Sequence, residues 1–175
     1  MFKNMKLGTK LICGFIAVAL IGAIIGVFGI LKVREIDEAD TKLYQNVAVP
    51  LGQLANISVD FQRVRVNSRD VIYAKTKEAQ AEYIKRITEL RHEITEVSKE
   101  YEKTLFTDEG KKMFADFGKA REAYGAQLDK IVALVNQEKI DDAVSVLNGD
   151  GAKASREEQT IINEMLKGKI HQGKI

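Results

Sequence analysis

The chain has 175 residues, of which 45% are hydrophobic and 30% charged, with one proline and a formal net charge of +2. This composition is typical of one folded domain and excludes a disordered tail or a collagen-like chain. The single cysteine, Cys13, excludes a disulfide framework and a cysteine-based zinc site. So small a net charge is also insufficient for general nucleic-acid binding, and we expect no nucleic acid among the partners.

The first predicted element is an apolar helix that crosses a membrane. Residues 11–31 form a run of 21 residues without a charge, and as a helix this run measures roughly 30 Å, the thickness of the hydrocarbon layer. A cleaved signal peptide is the alternative, but its apolar region is usually only about 7–15 residues long. Three lysines and no acid precede the run. This asymmetry predicts a cytoplasmic segment 1–10, an anchor in the inner membrane, and an extracytoplasmic (periplasmic) domain 32–175.

Beyond this run, apolar residues recur every three or four positions in four successive segments. The clearest segment contains Tyr83, Ile87, Leu90, Ile94, Val97, Tyr101 and Leu105. A mean spacing near 3.5 residues is typical of helices packed nearly parallel to one another, as in four-helix bundles. We therefore predict an all-α fold, in which the N-terminal transmembrane helix is continuous with an antiparallel up-down-up-down four-helix bundle. Its helices are expected at about 32–74, 76–105, 108–138 and 141–175.

Residues typical of helix ends lie between these segments. Thr76 and Thr107 are suited to cap the second and third helices, because a threonine hydroxyl accepts from a free N–H of the first turn. Pro50 lies inside the first segment and removes one backbone donor, so we expect a kink there rather than a helix end. The fourth segment is interrupted at 149–151, where two glycines flank an aspartate.

Three stretches of the chain resemble a known family. They are MKLGTKLICGFIAVALIG at the start, VPLGQLANISVDFQRVRVNSRDVIY in the first segment, and LFTDEGKKMFADFGKAREAYGAQLDKIVALVNQEKIDDAV across the third and fourth. Together they resemble the membrane anchor and four-helix-bundle ligand-binding domain of methyl-accepting chemotaxis proteins, the bacterial chemoreceptors. The resemblance implies a homodimer that binds a small molecule, with no cofactor, for signal transduction in chemotaxis. The same module occurs on histidine kinases and cyclic-dinucleotide enzymes, and a membrane-tethered structural or adaptor bundle without a small ligand is a further alternative.

The resemblance also indicates where a ligand would bind. In aspartate-type members, arginines on the first bundle helix bind a small carboxylate across the dimer interface. The matching positions here are Arg65, Arg69 and Tyr73, and the expected ligand is an organic acid or an amino acid. Because Tyr73 replaces a third arginine, the match favours organic or aromatic acids over amino acids. Arg65 lies about 34 residues beyond the apolar run, roughly 50 Å along a straight helix, and shares a face with Arg69. Paired guanidinium groups suit carboxylates, although such arginines also form solvated faces, with Asp70 as the obvious partner.

We predict no catalytic site and no metal site. His92 and His171 are the only histidines, and the carboxylates near His92 do not complete the Glu-x-x-His pattern of diiron bundles. The chain is therefore not expected to be an enzyme.

The length of the fourth segment carries a further expectation. To return to the membrane, the fourth helix would need to reach about residue 182, so we expect a larger two-span protein with a second span beyond Ile175.

Overall fold

A computed structural model describes residues 6–173, and every regular element in that range is helical. The elements are α1 (Leu7–Leu43), a π-helical turn (Tyr44–Ala48), α2 (Val49–Tyr73), α3 (Lys77–Glu102), α4 (Asp108–Asn136), α5 (Ile140–Asn148) and α6 (Asp150–Gln172). They divide into two compact units, with the boundary between Leu43 and Tyr44. The prediction of an all-α fold is confirmed.

The first unit consists of α1. Over the described residues it is exposed along its whole length, and its most apolar window has no buried residue. By length and composition this is the one stretch within residues 6–173 able to cross a membrane, a test that a signal sequence also passes. A soluble core helix would bury such a surface, so its complete exposure favours a lipid environment. Residues 1–5 of the predicted cytoplasmic segment lie outside the described part of the chain.

The second unit is a four-helix bundle whose first helix, α2, buries the face predicted from the apolar spacing. Leu54, Ile57, Phe61, Val64 and Val71 are each at most 2% exposed. Fully burying one such side chain contributes about 1.5–3 kcal/mol relative to leaving it in water. The α2 face therefore anchors the core, on which partly buried side chains of the other helices also pack.

The predicted caps of α3 and α4 are confirmed. The Thr76 hydroxyl accepts from the Ala79 N–H at 3.2 Å, and the Thr107 hydroxyl accepts from the Gly110 N–H at 3.1 Å. The ends of these helices lie two or three residues before the predicted ones. Helix α3 was predicted to be longer because Leu105 continues its apolar spacing. Leu105 is buried, but it lies in the loop after the helix.

The fourth predicted helix consists of two helices, α5 and α6, with the break at Gly149. Gly151 is required just after it, since a Cβ there would lie 2.8 Å from the Val146 carbonyl oxygen. The first predicted helix contains a π-helical turn, Tyr44–Ala48, which ends two residues before Pro50. The helical run continues past Pro50 to Tyr73, as expected. Pro50 is the second residue of α2, where a missing N–H costs least.

Cross-helix hydrogen bonds show the antiparallel order. Gln62 of α2 bonds Gln159 of α6, and Lys169 of α6 donates to the Asn46 carbonyl. The earlier residue of the first helical segment thus pairs with the later residue of α6, so the two run in opposite directions. The same inversion relates α3 and α4, through Arg91 with Asp129 and Thr95 with Arg121. Packing is most extensive between α2 and α3 and between α4 and α6.

Candidate functional site

The three residues predicted to bind a ligand lie on one face of α2. Arg65 is partly buried, whereas Arg69 and Tyr73 are exposed. The Arg65 guanidinium donates to the Gln62 side chain at 2.9 Å, and its Cζ lies 5.8 Å from the Phe61 ring centroid.

Neither arginine has a carboxylate partner in the described part of the chain. Within residues 6–173 no acid lies within 4.0 Å of either guanidinium, so Asp70 does not form the expected ion pair. The acid on this stretch that does form one is Asp60, which bonds Arg63 at 3.1 Å. The polar side chains between the arginines are engaged within the helix, since Ser68 donates to the Arg65 carbonyl at 2.9 Å. The face thus offers two positive charges that are not compensated locally.

The same helix exposes an apolar stripe. Val59, Val66 and Tyr73 are 50%, 52% and 63% exposed and lie seven residues apart, and Gly52 precedes them in the same register. We call these four residues the α2 stripe. A seven-residue repeat of apolar side chains is the pattern by which one helix packs along another. Arg69 lies between the last two members of the stripe, so the arginine face and the stripe are adjacent.

A polar cluster that the sequence analysis missed lies inside the bundle. Glu158 of α6 is only 3% exposed. Arg121 of α4 directs Nη2 to the Arg91 carbonyl at 3.2 Å and to the Thr95 hydroxyl at 3.1 Å, and Arg91 bonds Asp129 at 2.5 Å. The Glu158 carboxyl itself makes no hydrogen bond to any residue in the described range, and no ion pair within 4.0 Å.

Burial dominates the titration of this cluster. It raises the pKa of Glu158 to about 7, while the positive charges of Arg121 and Arg91 oppose the rise. Burial also lowers the pKa of Arg121, which the negative charge of Glu158 partly offsets. A carboxyl in this setting changes charge near neutral pH, which exposed carboxyls do not do.

The cluster borders a cavity of about 220 Å³ between α2, α3, α4 and α6. Its walls are Phe61, Val64, Arg91, Ile94, Arg121, Glu122, Tyr124, Gly125, Leu128 and Glu158. Gly125 leaves room for Arg91 to cross α4, because a Cβ there would lie 3.0 Å from Arg91 Nη2. Phe61 and Tyr124 close the inner wall with their ring centroids 5.7 Å apart, edge to face.

A second buried charge lies elsewhere in the bundle. Lys169 of α6 is 4% exposed, and its ammonium donates to the carbonyls of Asn46 at 3.4 Å and Thr104 at 3.3 Å, above the Tyr101 ring. Asn46 is four residues before Pro50, so its carbonyl has no α-helical N–H donor. Lys169 supplies a donor in its place. Burial lowers the pKa of this lysine.

The sequence did contain a signal for both buried charges. Glu158 and Lys169 fall at positions where the spacing of α6 requires an apolar side chain, next to Ile162 and Met165. A charge in such a register indicates either a break in the helix or an internal polar partner. The partners themselves lie on other helices and could not be inferred from α6 alone.

A family described as the four helix bundle sensory module for signal transduction matches residues 4–175, and the chain belongs to this family. The resemblance to the sensory domain of chemoreceptors is thereby confirmed, and the family is one of signalling rather than catalytic modules. No curated protein matches the chain. Within residues 6–173 no three histidine, cysteine or acidic side chains are grouped to hold a metal ion.

Proposed function

We propose that this chain is the ligand-sensing, extracytoplasmic part of a transmembrane chemoreceptor, anchored in the inner membrane with its N-terminus in the cytoplasm. Its ligand is a small carboxylate held by Arg65, Arg69 and Tyr73. The observation that carries the proposal is the pair of guanidinium groups on one face of α2, neither of which has a carboxylate within 4.0 Å among residues 6–173. Two such groups hold a carboxylate by charge-assisted, bidentate hydrogen bonds, and the Tyr73 hydroxyl adds a donor at the end of the face.

The ligand is proposed to bind between two copies of the chain. The α2 stripe supports this arrangement, since its members repeat every seven residues and have no covering element among the described residues. Two stripes packed together would bury this apolar surface and bring the arginine faces of both copies alongside the seam. A ligand bridging the copies would then favour one relative position of the packed helices, which shift in small discrete steps.

A titration of the full chain in detergent micelles tests the binding site. A panel of organic acids and amino acids is screened by thermal unfolding, since a ligand at a hundred times its Kd stabilises the folded state by about 2.7 kcal/mol. We expect one class of acid to raise the midpoint, and Arg69→Ala to abolish the rise. Arg63→Ala is the matched control, because Arg63 lies on the same helix but is paired with Asp60.

Cross-linking tests the dimer. With Cys13 replaced by serine, Val66→Cys is expected to form a disulfide between copies under mild oxidation, and Asn163→Cys, on α6, is not. An absence of any ligand response together with an absence of the Val66 cross-link would refute the proposal and favour the adaptor alternative. Attachment of the sensor to a kinase or to a cyclic-dinucleotide enzyme would leave both results unchanged.

A further inference from the structure

The cavity beside Glu158 has the properties of a built site. Glu158 is 97% buried and borders the cavity, yet its carboxyl has no hydrogen-bond partner within residues 6–173. The carboxyl oxygens of Glu158 are not among the fully enclosed unpartnered atoms of the described residues, so water or a ligand group in the cavity can reach and bond them.

Arg121 provides the complementary group. Its two hydrogen bonds both use Nη2, so Nη1 and Nε retain N–H donors without an acceptor in the described range. Arg121 also has no ion-pair partner within 4.0 Å there, in contrast to Arg91, which is paired with Asp129. The cavity lining therefore contains one partly buried cation with unused donors and one buried carboxyl.

The dimensions and walls restrict the ligand. A volume of about 220 Å³ lies below the roughly 300–1,000 Å³ of pockets that hold drug-sized ligands. Phe61, Val64 and Leu128 provide apolar walls, on the side contributed mainly by α2. The mouth lies between Arg91, whose side chain is 38% exposed, and Glu122, which is exposed. The ligand is thus a small molecule with one charged end and a short apolar part.

We propose that this cavity is a ligand site within a single chain, which binds a short-chain monocarboxylate together with one proton. The ligand carboxylate accepts hydrogen bonds from Arg121, and Glu158, protonated from the solvent, donates its O–H to the same carboxylate. Charge is balanced, because the added negative charge of the ligand is matched by the proton on Glu158. The site uses Arg121 and Glu158 rather than Arg65 and Arg69, so it does not depend on the function proposed above, although Phe61 both lines the cavity and lies 5.8 Å from the Arg65 guanidinium.

The charges of the groups that face Glu158 support binding of a carboxylate together with a proton. Arg91 from α3 and Arg121 from α4 are positive, and the α4 side chains Glu122 and Tyr124 are the other titratable groups in the lining. The nearest α2 side chains in the lining are apolar. A pKa of about 7 for Glu158, set by burial against the two arginines, means that protonation near neutral pH costs little free energy.

Calorimetric titration of the full chain in detergent micelles with acetate, propionate and butyrate tests the site. We expect binding of one ligand per chain, about tenfold tighter at pH 6 than at pH 8, because the protonated fraction of a group with a pKa near 7 changes by about that factor. In two buffers of different ionisation heat, the apparent enthalpies at pH 8 should differ by the uptake of close to one proton. Propionamide, the uncharged isostere, is expected not to bind.

Variants distinguish the cavity from the α2 face. Glu158→Gln keeps a donor in place of the protonated carboxyl, so it should bind propionate with no proton uptake and with the same affinity at both pH values. Arg121→Gln should weaken binding at least tenfold, and Arg121→Lys, which keeps the charge, less so. Arg69→Ala should leave this binding unchanged, whether or not it abolishes the response described above.

Several outcomes would overturn the proposal. They are no heat with any of the three acids at pH 6, propionamide binding as tightly as propionate, or a wild-type affinity independent of pH. Unaltered propionate binding by a folded Arg121→Gln variant would do so too. Folding of each variant is checked by circular dichroism. If Arg121→Gln does not fold, the pH dependence of propionate binding by Glu158→Gln tests the proposal instead.

Discussion

Removal of the Glu158 charge should change how the stability of the bundle depends on pH. In the folded chain its pKa is about 7, against an ordinary value of 4.5. The unfolded chain therefore releases its proton first as the pH rises, and the folded state binds more protons between these two values. Stability from this group is complete below about pH 4.5 and is lost progressively up to about pH 7.

The magnitude follows from the difference between the two pKa values. Each tenfold difference in proton affinity corresponds to about 1.4 kcal/mol, so Glu158 accounts for roughly 3 kcal/mol lost between pH 4 and pH 8. Glu158→Gln cannot titrate and lacks this contribution. The free energy of unfolding of the variant minus that of the wild type should therefore be about 3 kcal/mol larger at pH 8 than at pH 4.

Urea unfolding of the full chain in detergent, followed by circular dichroism at several pH values, measures both curves. Glu157→Gln is the matched control, because this neighbouring side chain is exposed and its replacement should leave the wild-type pH dependence nearly intact. Parallel curves for the wild type and Glu158→Gln would refute the reasoning, since they would mean that burial does not perturb this carboxyl.

Three further substitutions, one of them with an exposed control, test other parts of the bundle. Phe61→Ala, at a side chain 1% exposed, should cost about 3–5 kcal/mol of unfolding free energy, and Glu82→Ala, at an exposed position of α3, less than about 0.5 kcal/mol; urea unfolding measures both. Thr107→Ala should cost about 1 kcal/mol through loss of the α4 cap, visible as a lower thermal midpoint. Lys169→Met should cost about 1–3 kcal/mol because buried carbonyls lose their donor, and should speed amide hydrogen exchange in the Tyr44–Ala48 turn.

The features that the sequence predicted well depend on neighbours in the chain. Thr76 and Thr107 cap helices whose first turns follow directly, and the spacing of Leu54, Ile57 and Phe61 defines a buried face without reference to any other helix. The break at Gly149 was likewise visible as a local interruption. These properties are set within a few residues, where propensity and periodicity act.

The features that it did not predict depend on distant partners. Arg121 reaches the Thr95 hydroxyl, 26 residues earlier, and the cavity forms where four helices converge on Glu158. The π-helical turn before Pro50 also has no periodic pattern of its own. The residues of the arginine face were found because a family resemblance pointed to them, and their binding role stays a prediction.

The hydrogen bonds of Lys169 tolerate mutation of the acceptor residues but not of the lysine itself. Both acceptors are main-chain carbonyls, of Asn46 and Thr104, which persist whatever side chain occupies those two positions. Mutation there can alter packing but cannot delete the oxygen, whereas one codon change at position 169 removes both bonds together. The hydrogen bond that Pro50 cannot donate to the Asn46 carbonyl is thus replaced by one that depends on a single side chain, Lys169.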